Sequence, residues 1–209
     1  VARTQAERSA ATQQALLTAA RRLWGERGYG AVSTPEIAQA AGVTRGAMYH
    51  QYPDKAKLFL AVLEAVETDV IGRLGAAVVA EQPKTPAGAL RIAADAWIDI
   101  ACEPEVRQLV LLDAPSVLGW AGFREISLRY GLGMTEQLLT AAIKAGEIAP
   151  QPTRPLATVM IGALDEAAMS IANADDPEQE KADVRHVIHN LIDGMLSNPR
   201  RPKAARSRS

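Results

Sequence analysis

The chain has 209 residues, of which 48% are hydrophobic and 4% aromatic, with a formal net charge of -1 and one cysteine, Cys102. That length suits a small module joined to a larger one, the Ala- and Leu-rich apolar set favours helix over strand, and a lone cysteine excludes an intrachain disulfide framework. Nothing at the beginning reads as a secretory signal, and apolar runs such as Leu109–Leu112 are too short to span a bilayer, so the expectation is an all-α, soluble, cytoplasmic protein without membrane contact.

Residues Arg8 to Arg27 place Leu16, Ala20, Leu23 and Trp24 on one helical face, which Gly28 and Gly30 end. Thr34 reads as the N-cap of a short second helix, with Pro35 at its first position, Glu36 in its first turn and Ile37, Ala38 and Ala41 on its buried face. Gly42 breaks it, and Thr44 caps a third helix from Arg45 to Gln51. Pro53 and Asp54 introduce a fourth, whose Leu58, Val62, Ala65 and Val66 recur at helical spacing. Proline and glycine then divide the chain into helical segments at about 86–101, 104–113, 121–145, 155–174 and 177–196. A buried helix is expected to end at Pro115, ahead of a glycine-rich bend carrying Trp120 and Phe123. No stretch alternates as a strand does.

The small net charge conceals a partition. Residues 1–57 hold eight Lys/Arg against four Asp/Glu, residues 58–197 hold ten against twenty, and residues 198–209 carry five basic groups and no acid. This gives three parts: a basic N-terminal module (1–57), an acidic helical module (58–197) and a basic tail (198–209) that reads as disordered. Positive charge at the two ends suits a polyanion.

Three short helices with a glycine turn between the second and third are the pattern of a helix-turn-helix, whose third helix enters the major groove of DNA. Ala38, Ala41, Gly42 and Gly46 permit close approach, and Val43 and Met48 can pack the turn against the first helix. Thr34, Thr44, Tyr49 and His50 offer donors to phosphate oxygens, and Lys55 adds a point charge. The run from Ser33 to Lys55, with Ile37-Ala-x-x-Ala-Gly-Val43, Tyr49-His-x-Tyr52 and the following Lys55, resembles the DNA-binding domain of the TetR family of repressors over about residues 10–65. The resemblance implies Thr44, Tyr49 and Lys55 as phosphate anchors, with Arg45, Ala47 and His50 facing the groove and Gln51 a further candidate there. Arg45 can pair bidentately with guanine and Ala47 can meet a thymine methyl. Pro35 stands where many relatives carry a polar residue, which shifts discrimination onto the third helix, and Gly46 weakens that helix by about 1 kcal/mol relative to alanine.

The resemblance further implies that the larger module binds a small molecule and dimerises. Candidate lining residues are Trp97, Cys102, Leu111, Trp120, Phe123, Tyr130, Met134, Glu166 and Met169, all of which also suit ordinary core packing. A small-residue stripe (Val159, Gly162, Ala163, Glu166, Ala167, Ser170) and a larger one (Val184, Ile188, Leu191, Met195) can build a four-helix homodimer interface. Such a dimer reads a palindromic DNA operator with half-sites roughly 34 to 36 Å apart, or a multiple of it.

The expected function is therefore a ligand-responsive transcriptional regulator, most simply a repressor, with no cofactor and no catalysis. An activator is an alternative. So is a helical-bundle enzyme, on the pair Asp183-x-x-His186 with His189 one turn on, although a di-iron site needs two such pairs and two more carboxylates.

Overall fold

The computed structural model describes residues 4–196, and the regular structure in that range is helical, with one isolated bridge between Ile148 and Leu196. The basic tail expected at 198–209 lies outside the described residues. Helix α1 (Gln5–Arg27) opens earlier than the apolar pattern suggests, because Thr4 and Glu7 form a capping box, and it stops at Gly28, whose φ of 79° is accessible at low cost to glycine.

Helix α2 (Thr34–Ala40) is capped by Ser33 rather than Thr34. The Ser33 hydroxyl accepts from the Glu36 amide while the Glu36 carboxylate accepts from the Ser33 amide, so the reciprocal pair fixes the start one residue upstream of the expected cap. The turn to α3 (Arg45–Gln51) passes through Gly42 at φ 66°, and the Thr44 side chain accepts from the Ala47 amide.

Helix α4 (Lys55–Glu81) follows without interruption from the Asp54 cap, and the expected module boundary at 57/58 falls in its first turn. Its Leu58, Phe59, Val62 and Leu63 are fully buried beside Leu16, Trp24, Ile37 and Met48 of the first three helices. The Phe59 ring meets Trp24 at 5.5 Å and Tyr29 at 5.1 Å, both edge-on.

Helix α5 (Pro86–Ala101) leads to a single short turn, α6 (Pro104–Val106), and a π-helical segment, Arg107–Asp113. Helix α7 (Ala114–Lys144) continues directly from it. This corrects the expected break at Pro115. Pro115 falls where the π-helical segment passes into α7, its fixed φ fits the helical backbone there, and the chain runs through it and bends instead at Gly119, where φ is 69°.

Helices α8 (Thr153–Asn173) and α9 (Pro177–Met195) complete the fold, α8 packing against α7, α5 and α9. Helix α8 is long and apolar enough to cross a membrane, which the sequence runs did not suggest, but its inward face carries Asp165 bonded to α7. Of the larger apolar stripe on α9, Ile188 turns into the core with Ile192, while Leu191 and Val187 remain exposed, as does Val159 on α8.

One apolar cluster runs from the N-terminal helices along α4 into α5, the π segment, α7 and α8. Replacing Phe59 with alanine removes the ring that joins α4 to α1. It is expected to lower the unfolding free energy by about 3 to 5 kcal/mol, read as a reduced midpoint in urea denaturation.

Candidate DNA-binding face and effector cavity

The outer face of α3 presents Arg45, Gly46, Tyr49 and His50 to solvent, with Ala47 half-buried beside them. Met48, on the opposite side, is fully buried against the first helices. A Cβ at Gly46 would meet no atom within 4 Å, so this stretch of helix is bare backbone open to a flat partner. The Tyr49 hydroxyl lies 3.2 Å from the Thr34 hydroxyl, which ties α3 to the first residue of α2, and the Arg45 guanidinium stands 5.8 Å from the Tyr49 ring centre. Two further expected DNA contacts have protein partners. The Gln51 amide nitrogen donates to Ser9 Oγ at 2.8 Å and is half-buried between α1 and α3, and the Lys55 ammonium donates to the Tyr29 carbonyl at 2.6 Å while lying 4.0 Å from the Tyr29 ring centre. Burial pulls the Lys55 pKa down, against the opposing pull of Asp113 and Glu36.

The N-terminal helices are fastened to the acidic part at two places. Arg21 on α1 forms a two-pronged pair with Glu105 of α6 at 2.7 and 2.9 Å, and it also reaches Asp69 on α4. Asp113, at the end of the π segment, accepts from the Tyr29 amide at 2.8 Å. Tyr29 is thus held at its amide by the acidic part and at its carbonyl by α4.

Between α4, α5, the π segment, α7 and α8 lies a cavity of about 70 Å³. Its wall is largely apolar, with Val70, Ile71, Leu74, Val110, Met160 and Leu164 among its members. Of the residues expected to line it, Trp97, Phe123 and Met134 do so. The remainder do not. Leu111 is in the core one position past the lining Val110, Glu166 is exposed one position past the lining Asp165, and one residue of helix turns a side chain by about 100°. Trp120 lies outside because the bend at Gly119 turns it to solvent, at 59% exposure. Cys102 packs against the α5–α8–α9 cluster, and Tyr130 and Met169 pack on the main core.

Two carboxyl residues on this wall, Glu67 and Asp165, escaped the sequence reading. Both are 6% exposed. Glu67 falls in the stripe Leu63, Glu67, Val70, Ile71, Leu74, and Asp165 in the stripe Ile161, Asp165, Ala168, Ala172; an acid in register with an apolar face was the available signal. Asp165 is well supplied with donors: its Oδ2 accepts from Ser127 Oγ at 2.5 Å and from Arg124 Nη1 at 2.9 Å, while Arg124 Nη2 donates to the Thr158 carbonyl. Burial pushes the Asp165 carboxyl up, opposed by Ser127 and Arg124. The Arg124 guanidinium lies over Gly162, where a Cβ would come within 3.2 Å of it. Among the described residues Glu67 has no such donors, and burial, reinforced by the nearby charge of Asp165, pushes its carboxyl up to about 7.

Elsewhere, Asp183 accepts from Gln179, His186 bonds Asn190 and His189 meets Asp95. Among the described residues no cluster of three or more His, Cys, Asp or Glu side chains is arranged to hold a metal ion.

Residues 16–62 match the family model for bacterial regulatory proteins of the tetR family, and residues 87–195 match that for a tetracyclin repressor-like C-terminal domain. A TetR-family transcriptional regulator from Pectobacterium atrosepticum superposes with a TM-score of 0.83 at 33% identity, covering 95% of this chain and 100% of that one. The Tn10 TetC protein of Escherichia coli is 25% identical over 85% of this chain and 88% of its own length. The regulator AcrR of Shigella flexneri is 40% identical over 91 residues, which span 44% of this chain and only 42% of AcrR. A resorcinol complex of RolR, at 20% identity and a TM-score of 0.71, shares the fold.

Glu67 carries a pH signature. Its unfolded carboxyl titrates at the ordinary 4.5, so between that value and about 7 the folded chain keeps a proton the unfolded chain has lost. The contribution of Glu67 to stability is therefore full below pH 4.5 and falls as pH rises through 7, by roughly 3 kcal/mol in all. Glu67→Gln is expected to melt close to the parent at pH 5 and well above it at pH 8.5. Equal differences at the two pH values would contradict the assignment.

Proposed function

The chain belongs to the TetR family of DNA-binding transcriptional regulators, and from that premise we propose that it is a repressor which binds a palindromic operator as a homodimer and leaves it when a small molecule fills the cavity. The observation that carries the DNA reading is the outer face of α3, where Arg45, Tyr49 and His50 are exposed around a glycine without neighbours while the inner face is locked by Met48. In this reading Thr44 and Tyr49 contact phosphates, Arg45, Ala47 and His50 face base edges, and Gln51 serves the α1–α3 contact instead. Lys55 acts chiefly by fixing Tyr29, with its remaining donor capacity turned to phosphate.

Dimerisation is supported by the exposed Val187 and Leu191 on α9 and Val159 on α8, which leave an apolar face on the last two helices. The ligand response is supported by the position of the π segment. Val110 lines the cavity and Asp113, three residues on, holds Tyr29 of the N-terminal module. A ligand shifts the equilibrium only as far as it prefers one arrangement, about 1 to 3 kcal/mol for ordinary coupling, and the operator must weaken ligand binding by the same factor.

Selection of bound sequences from random duplex DNA tests the proposal. A palindrome is the expected outcome, and no enrichment would overturn it. In the same assay Arg45→Ala should relax preference at one position per half-site at a cost of about 1 to 3 kcal/mol, whereas Lys55→Ala should weaken all sequences alike.

A further inference from the structure

The cavity wall has a chemical bias that its size alone does not convey. Apart from the proton that Glu67 can carry, the polar side-chain hydrogens on it have acceptors within the protein: the Trp97 indole donates to the Leu164 carbonyl at 3.1 Å, the Ser127 hydroxyl to Asp165, and the Thr135 hydroxyl to the Gly131 carbonyl at 2.9 Å. The Arg124 guanidinium, behind Asp165, is divided between that carboxylate and the Thr158 carbonyl. What remains for an occupant is acceptors: chiefly the Glu67 carboxyl, 94% buried and without a hydrogen-bond donor among the described residues, and beside it Oδ1 of Asp165, whose two donors both go to Oδ2. The ionisable groups facing it are limited. Helix α8 contributes Asp165 and α7 contributes Arg124 at second remove, while α5 and the π segment contribute only apolar or aromatic lining side chains.

With both carboxyls ionised, the site holds two negative charges against one positive charge. We infer that the cavity takes an apolar organic monocation, whose positive group pairs with the Glu67 carboxylate and whose body lies among Trp97, Phe123 and the aliphatic wall. Three considerations converge on a cation. An anion would meet in the ionised Glu67 a like charge with no free donor beside it. A neutral body can offer Glu67 at most a hydrogen bond and leaves its buried charge uncompensated, which is costly. A cation supplies the missing charge, and the aromatic faces attract it further. Met134 and Met160 give the wall unbranched, adaptable side chains with which to fit a body larger than the cavity now open.

This rests on the reading of the cavity as the effector site, and its test separates the two. Calorimetric titration of the full chain with three probes of one shape, 2-phenylethylammonium, 2-phenylethanol and 3-phenylpropanoate, compares cation, neutral and anion directly. The cation is expected to bind about ten-fold tighter than the alcohol. Glu67→Gln should erase that preference while leaving the alcohol's affinity in place. A preference for alcohol or anion, a cation preference that survives the substitution, or no binding by any probe would overturn the inference.

Should the variant fail to fold, titrations of the parent at pH 7 in two buffers of different ionisation enthalpy decide instead. Pairing Glu67 with a cation should release a fraction of a proton, because burial raises the free carboxyl to about 7 and leaves it partly protonated there. No release overturns the inference. If the cation binds but operator affinity is unchanged, the monocation site stands and the effector reading falls.

Discussion

The continuity of α4 is the constraint on which the other parts depend. Twenty-seven residues without a break span about 40 Å. The first turns of this rod complete the core of the N-terminal helices through Leu58, Phe59 and Leu63, and its later turns wall the cavity through Glu67, Val70, Ile71 and Leu74. A helix held in both cores cannot rotate at one end without disturbing the other, since packed interiors resist continuous deformation. The N-terminal helices gain a second attachment through α6 and the π segment, at Arg21–Glu105 and Tyr29–Asp113. Two attachments on different elements define an orientation, whereas one would define only a hinge.

How much of this was legible in the sequence varied with the kind of information required. Local signals worked where a residue acts on its own backbone: Thr44, Asp54 and Pro86 begin helices as their types dictate, and Gly28 and Gly42 occupy the positive-φ positions that punctuation suggested. They slipped where two residues act together. Ser33 displaces Thr34 as cap because Glu36 answers it, and Pro115 fails to break the chain because the π segment delivers it to a first turn. The cavity was the least legible. Apolar residues at helical spacing look alike whether they touch a void or a neighbour, so Trp97, Phe123 and Met134 could not be told from Leu111 or Met169 before the helices were packed.

The acidity of the larger module also resolves into unlike parts once packed. Several of its carboxylates meet arginine or lysine near the surface: Glu103 with Arg73, Asp99 with Lys181 and Arg185, Asp193 with Arg91. Such pairs contribute little each, because water competes for both partners. They hold neighbouring helices in register and keep the module's charge opposite to that of the N-terminal end. Glu67 and Asp165 differ from them in burial, and Glu67 also in lacking a basic partner among the described residues; burial turns an ordinary acid into a group whose partner matters.

Gly162 shows how narrowly the chemistry of the cavity is set. It lies outside the polar constellation and contributes only the absence of a side chain, which leaves the Arg124 guanidinium room to reach Asp165 and the Thr158 carbonyl. A methyl group at that position would come within 3.2 Å of Nη2, the nitrogen that donates to the Thr158 carbonyl, so the guanidinium would have to shift by a few tenths of an ångström. A shift large enough to draw Nη1 away would leave Asp165 with Ser127 as its remaining donor and the cavity with more uncompensated negative charge. A lineage of related regulators can in this way retune the valence of what its members accept by substitutions on the far side of an arginine, without altering a residue that the occupant touches.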